Sequence, residues 1–289
     1  MPATHGEQVT REDDWLPLGQ STGIHSRQRA SCACTQSHAI RRERTGYPQS
    51  KRLMVVNRIP ELLKIGIENK GMLRIGAAVN QQTLYELPKL REQWAVLAES
   101  LDAAGHTRVR QMTTVGGSVG PLIGGFDLPV ALVGVNGRVV TASPAGQKTW
   151  ALAEAFDKRF AKDEMVIAIE VDALPARSGS AFHKFLPRGV METPTANAAA
   201  TVTLDASGKC VAARLVVGAV GWKPIIVDLS SLNGCAFDEA KIRAAVQPVR
   251  DLAQPLSNVR GSAMYKRNMA VEIGARTLIR AWQRAAQQK

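Results

Sequence analysis

The chain has 289 residues, 45% hydrophobic and 21% charged, with a net charge of +12 at pH 7. That length accommodates two compact domains, and the composition is that of a globular protein rather than a fibrous or low-complexity one. Its uncharged apolar runs fall far short of the roughly 20 residues that cross a bilayer, and MPATHGEQVTREDDW lacks the apolar region of a secretory signal, so a cytoplasmic protein is expected.

Residues 1–52 form the first segment and are read as poorly ordered. Between Gly19 and Arg52 the only large aliphatics are Ile24 and Ile40, and neither a helical nor a strand period is visible. About half of the positive excess lies between Arg27 and Arg52. Such a charge suits nucleic acid or an acidic partner subunit, but no base-stacking aromatics are interleaved with it, which disfavours nucleic acid. His25, Cys32, Cys34 and His38 match no common zinc spacing, so no metal is expected. With Cys210 and Cys235 the cysteines are too few and scattered for a disulfide framework.

From Leu53 the pattern becomes regular, and residues 53–176 are assigned to a first domain. LMVVN reads as a short strand, followed by a turn at Arg58-Ile59-Pro60 and by ELLKIGIE. MLRIGAAVN (72–80) reads as a strand, QQTLYELPKLRE as a helix interrupted at Pro88, and QWAVLAESLDAA as a helix stopping at Gly105. TTVGGSVG (113–120) is placed at a strand-to-loop junction. FDLPVALVGV reads as a short buried helix, RVVTAS as a strand, WALAEAFDKRF as a helix and MVIAIEVDAL as a strand.

Residues 177–289 form a second domain. AFHKFLPR, ANAAATVTLDASG and CVAARLVVGAVG read as antiparallel strands, with a hairpin turn at Asp205-Ala206-Ser207-Gly208. AFDEAKIRAAVQPV and SAMYKRNMAVEIGARTLIRAWQRAAQ read as helices, the latter with Met264, Val271, Leu278 and Trp282 near one face. The class is α+β in two domains.

TTVGGSVG admits two readings. The glycine pair Gly116-Gly117 suits a tight turn. It equally suits a cradle whose N–H groups converge on an anion, with hydroxyls from Thr113, Thr114 and Ser118 nearby. Asp127, nine residues after Ser118, could cap the next helix or accept hydrogen bonds from ribose hydroxyls or an adenine amine. His106 and His183 are read as structural hydrogen-bonders, and Arg188 with Glu192 as a solvated pair. No triad is visible, and no catalytic residue is assigned.

The ordered series LMVVNRIPELL, MLRIGAAVNQQTL, VRQMTTVGGSVG and DLPVAL resembles the FAD-binding (medium) subunit of molybdenum hydroxylases, the flavoprotein component of the xanthine dehydrogenase and carbon monoxide dehydrogenase family. FHKFLPRGVMETPTANAAATV and SNVRGSAMYKRNMAVEIGARTL extend the resemblance to about residue 285. It implies a PCMH/vanillyl-alcohol-oxidase type FAD-binding domain followed by a C-terminal domain of antiparallel sheet and helices. It also implies an oxidoreductase that takes electrons from iron–sulfur clusters of a small partner subunit. Those clusters are fed by a molybdopterin-binding large subunit, and the electrons leave through FAD to an external acceptor. This chain has no cysteine array to hold a cluster. By the same resemblance Thr113, Thr114, Val115, Gly116, Gly117 and Ser118 lie on an FAD diphosphate and ribitol loop. Asp127, Val166 and Lys184 fall at further FAD-contacting positions.

The resemblance breaks upstream. Where the family carries a first phosphate loop of the AGGTDLL type, this chain has Ala33-Cys34-Thr35-Gln36-Ser37, without glycine or a preceding aliphatic strand. Each charge-assisted hydrogen bond to a phosphate is worth about 1.5–3 kcal/mol, so losing that loop would weaken binding by orders of magnitude. A flavin-poor member with a structural or docking role is therefore the alternative.

Overall fold

The computed structural model describes residues 30–32, 52–189 and 193–288. It opens with two short parallel strands, β1 (Ala30–Cys32) and β2 (Arg52–Met54). A 3-10 turn at Pro60–Leu63 leads into β3 (Ile65–Ile67) and β4 (Leu73–Gly76). Five short helices follow: α1 (Gln81–Tyr85), α2 (Leu90–Gln93), α3 (Ala95–Ala103), α4 (Thr107–Met112) and α5 (Val115–Val119). Then come α6 (Asp127–Gly134), β5 (Arg138–Ser143), β6 (Gly146–Ala151), α7 (Leu152–Lys158) and β7 (Met165–Val171). The five-stranded sheet has the order β3-β4-β7-β5-β6, every pair antiparallel. β7 is its centre, and its apolar run MVIAIEV is mostly buried, as a strand covered on both faces requires.

A second, four-stranded antiparallel sheet has the order β11-β10-β9-β8, from β8 (Ser178–Phe185), β9 (Ala196–Leu204), β10 (Cys210–Gly218) and β11 (Ile225–Val227). Helices α8 (Glu239–Val246) and α9 (Val249–Leu252) precede the 25-residue α10 (Ala263–Gln287), which lies against β8 and β9. The other side of this sheet is met by α3 and α6 of the first unit. Sandwiching explains the alanine-rich β9: a Cβ at Gly134 would stand 2.7 Å from the Ala199 Cβ, and on neighbouring β8 one at Gly179 would clash with the Ala281 carbonyl. Small residues set both spacings. The two units share one apolar core in which Phe182, Ala199 and Val216 join Leu97, Leu132 and Val166.

Several sequence expectations change. Ala30–Cys32 is a strand although no period marks it, because three residues are too few to show alternation. The rest of the first segment, including Ala33–Ser37, lies outside the described residues. GQKTWA is an exposed edge strand whose polar faces hide it from pattern reading, so the helix after it starts at Leu152 rather than Trp150. Met264 is 70% exposed and off the buried stripe formed by Val271, Leu278 and Trp282, since it precedes the point where α10 reaches the sheet. Arg188 is described, whereas Glu192 lies outside the described residues.

Candidate cofactor site

The glycine segment is neither a simple turn nor an open amide cradle. Residues 79–81 run beside 113–115, with an isolated antiparallel bridge between Asn80 and Thr114. The Val115 N–H donates to the Val79 carbonyl at 2.9 Å, Gly116 to Ala77 at 2.9 Å, and Gln81 to Thr113 at 2.8 Å. The chain then turns into α5. Thr114 caps it, its Oγ1 accepting from the Gly117 N–H at 3.0 Å, and the Ser118 N–H reaches the Thr114 carbonyl at 3.1 Å. The amides of Val115, Gly116, Gly117 and Ser118 are thus all satisfied within the chain, which corrects the expectation that they converge on an anion. Gly116 is required for a different reason: a Cβ there would lie 2.6 Å from the Ala77 Cβ and 2.7 Å from its carbonyl oxygen. Glycine lets α5 press directly onto the segment that follows β4.

Around this helix the polar atoms form a chain. The Gln81 Nε2 donates to the Ser118 hydroxyl at 2.8 Å, and that hydroxyl donates to the Thr114 carbonyl at 3.1 Å. Gln81 is buried at the first turn of α1, whose cap is the Asn80 side chain accepting from the Thr83 N–H at 2.7 Å. Sequence reading passed over Gln81. The available signal was a Gln-Gln pair directly after a capping Asn, where one amide must face inward. Thr113 ends α4, its N–H reaching the Val109 carbonyl at 3.0 Å. The same helix is held by buried Arg110, which donates to Gln82 Oε1 at 2.9 Å and lies 4.6 Å from the Tyr85 ring centroid. Val166, on β7, is buried in the core that also contains Val115 and Val119.

The remaining two expected residues meet each other. Asp127 is the first residue of α6, whose cap is Phe126, so its carboxylate does not serve as the helix cap. Instead it accepts from Lys184 Nζ of β8 at 2.8 Å and from Asn197 Nδ2 of β9 at 2.8 Å. Lys184 also donates to the Ala103 carbonyl at 2.9 Å, closing a buried knot across the two units. The Lys184 and Asp127 side chains are 6% and 8% exposed, so Lys184 is not a surface lysine. Burial pushes the Asp127 carboxyl above the usual carboxylate range, opposed by the Lys184 ammonium and by the hydrogen bonds from Lys184 and Asn197. Asn197 was also missed, because a strand asparagine among alanines carries no motif.

The histidines stand apart from this constellation. His106 is exposed, at the start of α4 without a capping bond. His183 is half-buried on β8, and burial together with Arg280 and Arg276 holds its imidazole below its ordinary value, against the pull of Glu99. Among the described residues no cluster of His, Cys, Asp or Glu suits a metal ion, and no helix is long and apolar enough to cross a membrane.

These residues fit a flavin nucleotide in two respects. Lys184 supplies a buried ammonium whose charge Asp127 balances, a hydrogen-bond donor from which a flavin oxygen would accept. The Gln81 Oε1 is a buried acceptor with no hydrogen-bond partner, next to Ser118, and buried polar groups of that kind concentrate at functional sites.

Comparison with known proteins gives the same picture over nearly the whole chain. A family model described as the FAD binding domain in molybdopterin dehydrogenase matches residues 33–173, beginning inside the atypical first segment. A second, the CO dehydrogenase flavoprotein C-terminal domain, matches residues 181–281. The chain is 28% identical over 241 residues to the 6-hydroxypseudooxynicotine dehydrogenase complex subunit alpha of Paenarthrobacter nicotinovorans, covering 81% of this chain and 80% of the relative. It is also 28% identical to the carbon monoxide dehydrogenase medium chain of Hydrogenophaga pseudoflava, covering 83% and 85%. A solved structure of carbon monoxide dehydrogenase from the same organism superposes with a TM-score of 0.82 at 26% identity, covering 92% of each chain.

Proposed function

The chain belongs to the FAD-binding medium subunits of the molybdenum hydroxylases, and from that premise we propose which of its residues hold the cofactor. Its oxidoreductase role is electron transfer, with the molybdopterin and the iron–sulfur clusters on a large and a small partner subunit. Thr113, Thr114, Val115, Gly116, Gly117, Ser118, Asp127, Val166 and Lys184 form the FAD site. The observation that carries this assignment is the packing of α5 against α6, which sets the Ser118 helix beside the helix whose first residue, Asp127, bonds Lys184 of the second unit. In this reading the domains span residues 53–176 and 177–289, the site draws on an FAD-binding domain and, through Lys184, on a C-terminal domain, and the complex works in the cytoplasm.

Bound FAD supplies the exchange of electrons between a partner's clusters and an external acceptor. The protein's own part is positional and electrostatic. The Lys184 ammonium stays fixed by Asp127 and the Ala103 carbonyl, so its charge is held without reorganisation. Thr114 and Ser118 keep α5 in register through their side-chain bonds, and Gly116 keeps it seated on Ala77.

The test is reconstitution of this chain with its two partner subunits, followed by substrate-driven reduction of the flavin in the absence of acceptor. The reading expects loss of oxidised-flavin absorbance that requires the small subunit. A flavin that stays oxidised in the complete complex would overturn it.

A further inference from the structure

We propose that Gln81 is the positioning residue of the FAD loop, acting through Ser118; the inference rests on the cofactor assignment above. Gln81 reaches the loop twice: its N–H donates to the Thr113 carbonyl at 2.8 Å, and its Nε2 donates to the Ser118 hydroxyl at 2.8 Å. That second contact starts a relay. The Ser118 hydroxyl in turn donates to the Thr114 carbonyl, and the Thr114 side chain accepts from the Gly117 N–H. One buried amide therefore fixes the Ser118 hydroxyl and, through it and its own N–H, ties down the backbone of Thr113 and Thr114 before the glycine pair.

Stability alone does not account for an amide here. Gln81 is 5% exposed, and its Oε1 has no partner among the protein atoms. A buried unpaired acceptor is unfavourable, whereas an apolar side chain of the same length would carry no such penalty. The folded chain keeps a polar group that its packing does not need, at the point where it touches a residue assigned to the cofactor. This is the pattern of a residue retained for the site. A purely structural glutamine would instead have both ends of its amide paired.

The inference separates two quantities that usually fall together. Gln81→Met keeps length and volume but removes the donor to Ser118 and the orphaned acceptor. In the full chain freed of flavin, its unfolding midpoint is expected to equal or exceed that of the parent. Its FAD dissociation constant, measured by flavin fluorescence titration, is expected to rise about fivefold to tenfold, the size of one net hydrogen bond. The double variant Gln81→Ala with Ser118→Asn puts a longer amide on the loop itself, and should recover most of the affinity lost in Gln81→Ala.

Loss of stability in Gln81→Met in proportion to its loss of affinity would overturn the proposal in favour of a structural role. So would unchanged FAD affinity in that variant. If the parent chain itself takes up no FAD, the cofactor assignment fails rather than the role of Gln81 within it, and the two failures are distinguishable.

Discussion

Lys184 and Asp127 meet at 2.8 Å with both side chains buried, and they come from different sheets' neighbourhoods: β8 of the second unit and the start of α6 of the first. The pair therefore joins the units, and by our proposal it also belongs to the cofactor site. Removing one partner leaves the other buried and uncompensated, which costs about 3–5 kcal/mol. Lys184→Met is expected to lower the unfolding free energy by that amount, while Lys184→Met combined with Asp127→Leu recovers most of it. Equilibrium unfolding of the three proteins tests this, and a double variant as unstable as the single would contradict it.

Gly116→Ala should damage α5 through its contact with Ala77, where the added Cβ would face backbone as well as side chain. Overpacking of this kind costs about 1–3 kcal/mol and shifts the helix that carries Ser118. Unfolding and flavin titration should both be affected. Gly146→Ala makes a contrasting control, since its Cβ meets nothing within 4 Å, although its φ of +117° adds backbone strain.

Glu99 on α3 ties the units at a second point. Its Oε2 accepts from the Phe182 N–H at 2.8 Å, and its Oε1 accepts from Arg280 at 2.8 Å and from Arg284. Hydrogen bonds to a charged group are worth about 1.5–3 kcal/mol each when one partner is deleted. Glu99→Ala should therefore speed hydrogen exchange of the Phe182 amide and of its neighbours on β8. Unaltered exchange there would rule out a clamp at Glu99.

His183, beside this cluster, sets a pH dependence. Its folded pKa lies below the ordinary 6.5, so the unfolded chain takes up a proton more readily than the folded one. The corresponding stability is fully present above about pH 6.5 and is lost as pH falls through the lower folded value. A melting series from neutral to mildly acidic pH should show the midpoint falling, and His183→Gln should flatten part of that fall. An identical slope in the variant would place the dependence elsewhere.

Much of the architecture could be read from the chain because long apolar stretches announce it. β5, β7 and the strands around the Asp205–Gly208 hairpin are written in β-branched and apolar runs, and the helices around Pro88 are broken where proline requires it. Exposed β6 was hidden because GQKTWA presents polar residues on both faces. Within the proposed site, the sequence singles out Ser118, Asp127 and Lys184 but not what they bond to. Gln81 and Asn197 are supplied by segments distant in sequence, with separations of 37 and 70 residues from their partners, and no local pattern encodes such pairings. The conformation of TTVGGSVG was misjudged for a physical reason. Adjacent glycines were read through their freedom to turn, whereas Gly116 is selected by the approach of Ala77 and sits in a helix.

FAD binding by this chain, despite its atypical first segment, is read out by the flavin content of the purified full chain, with the flavin released by acid and identified chromatographically. FAD, rather than FMN, is expected at about one molecule per chain after reconstitution. A colourless protein that takes up no FAD when the cofactor is supplied in excess would contradict it.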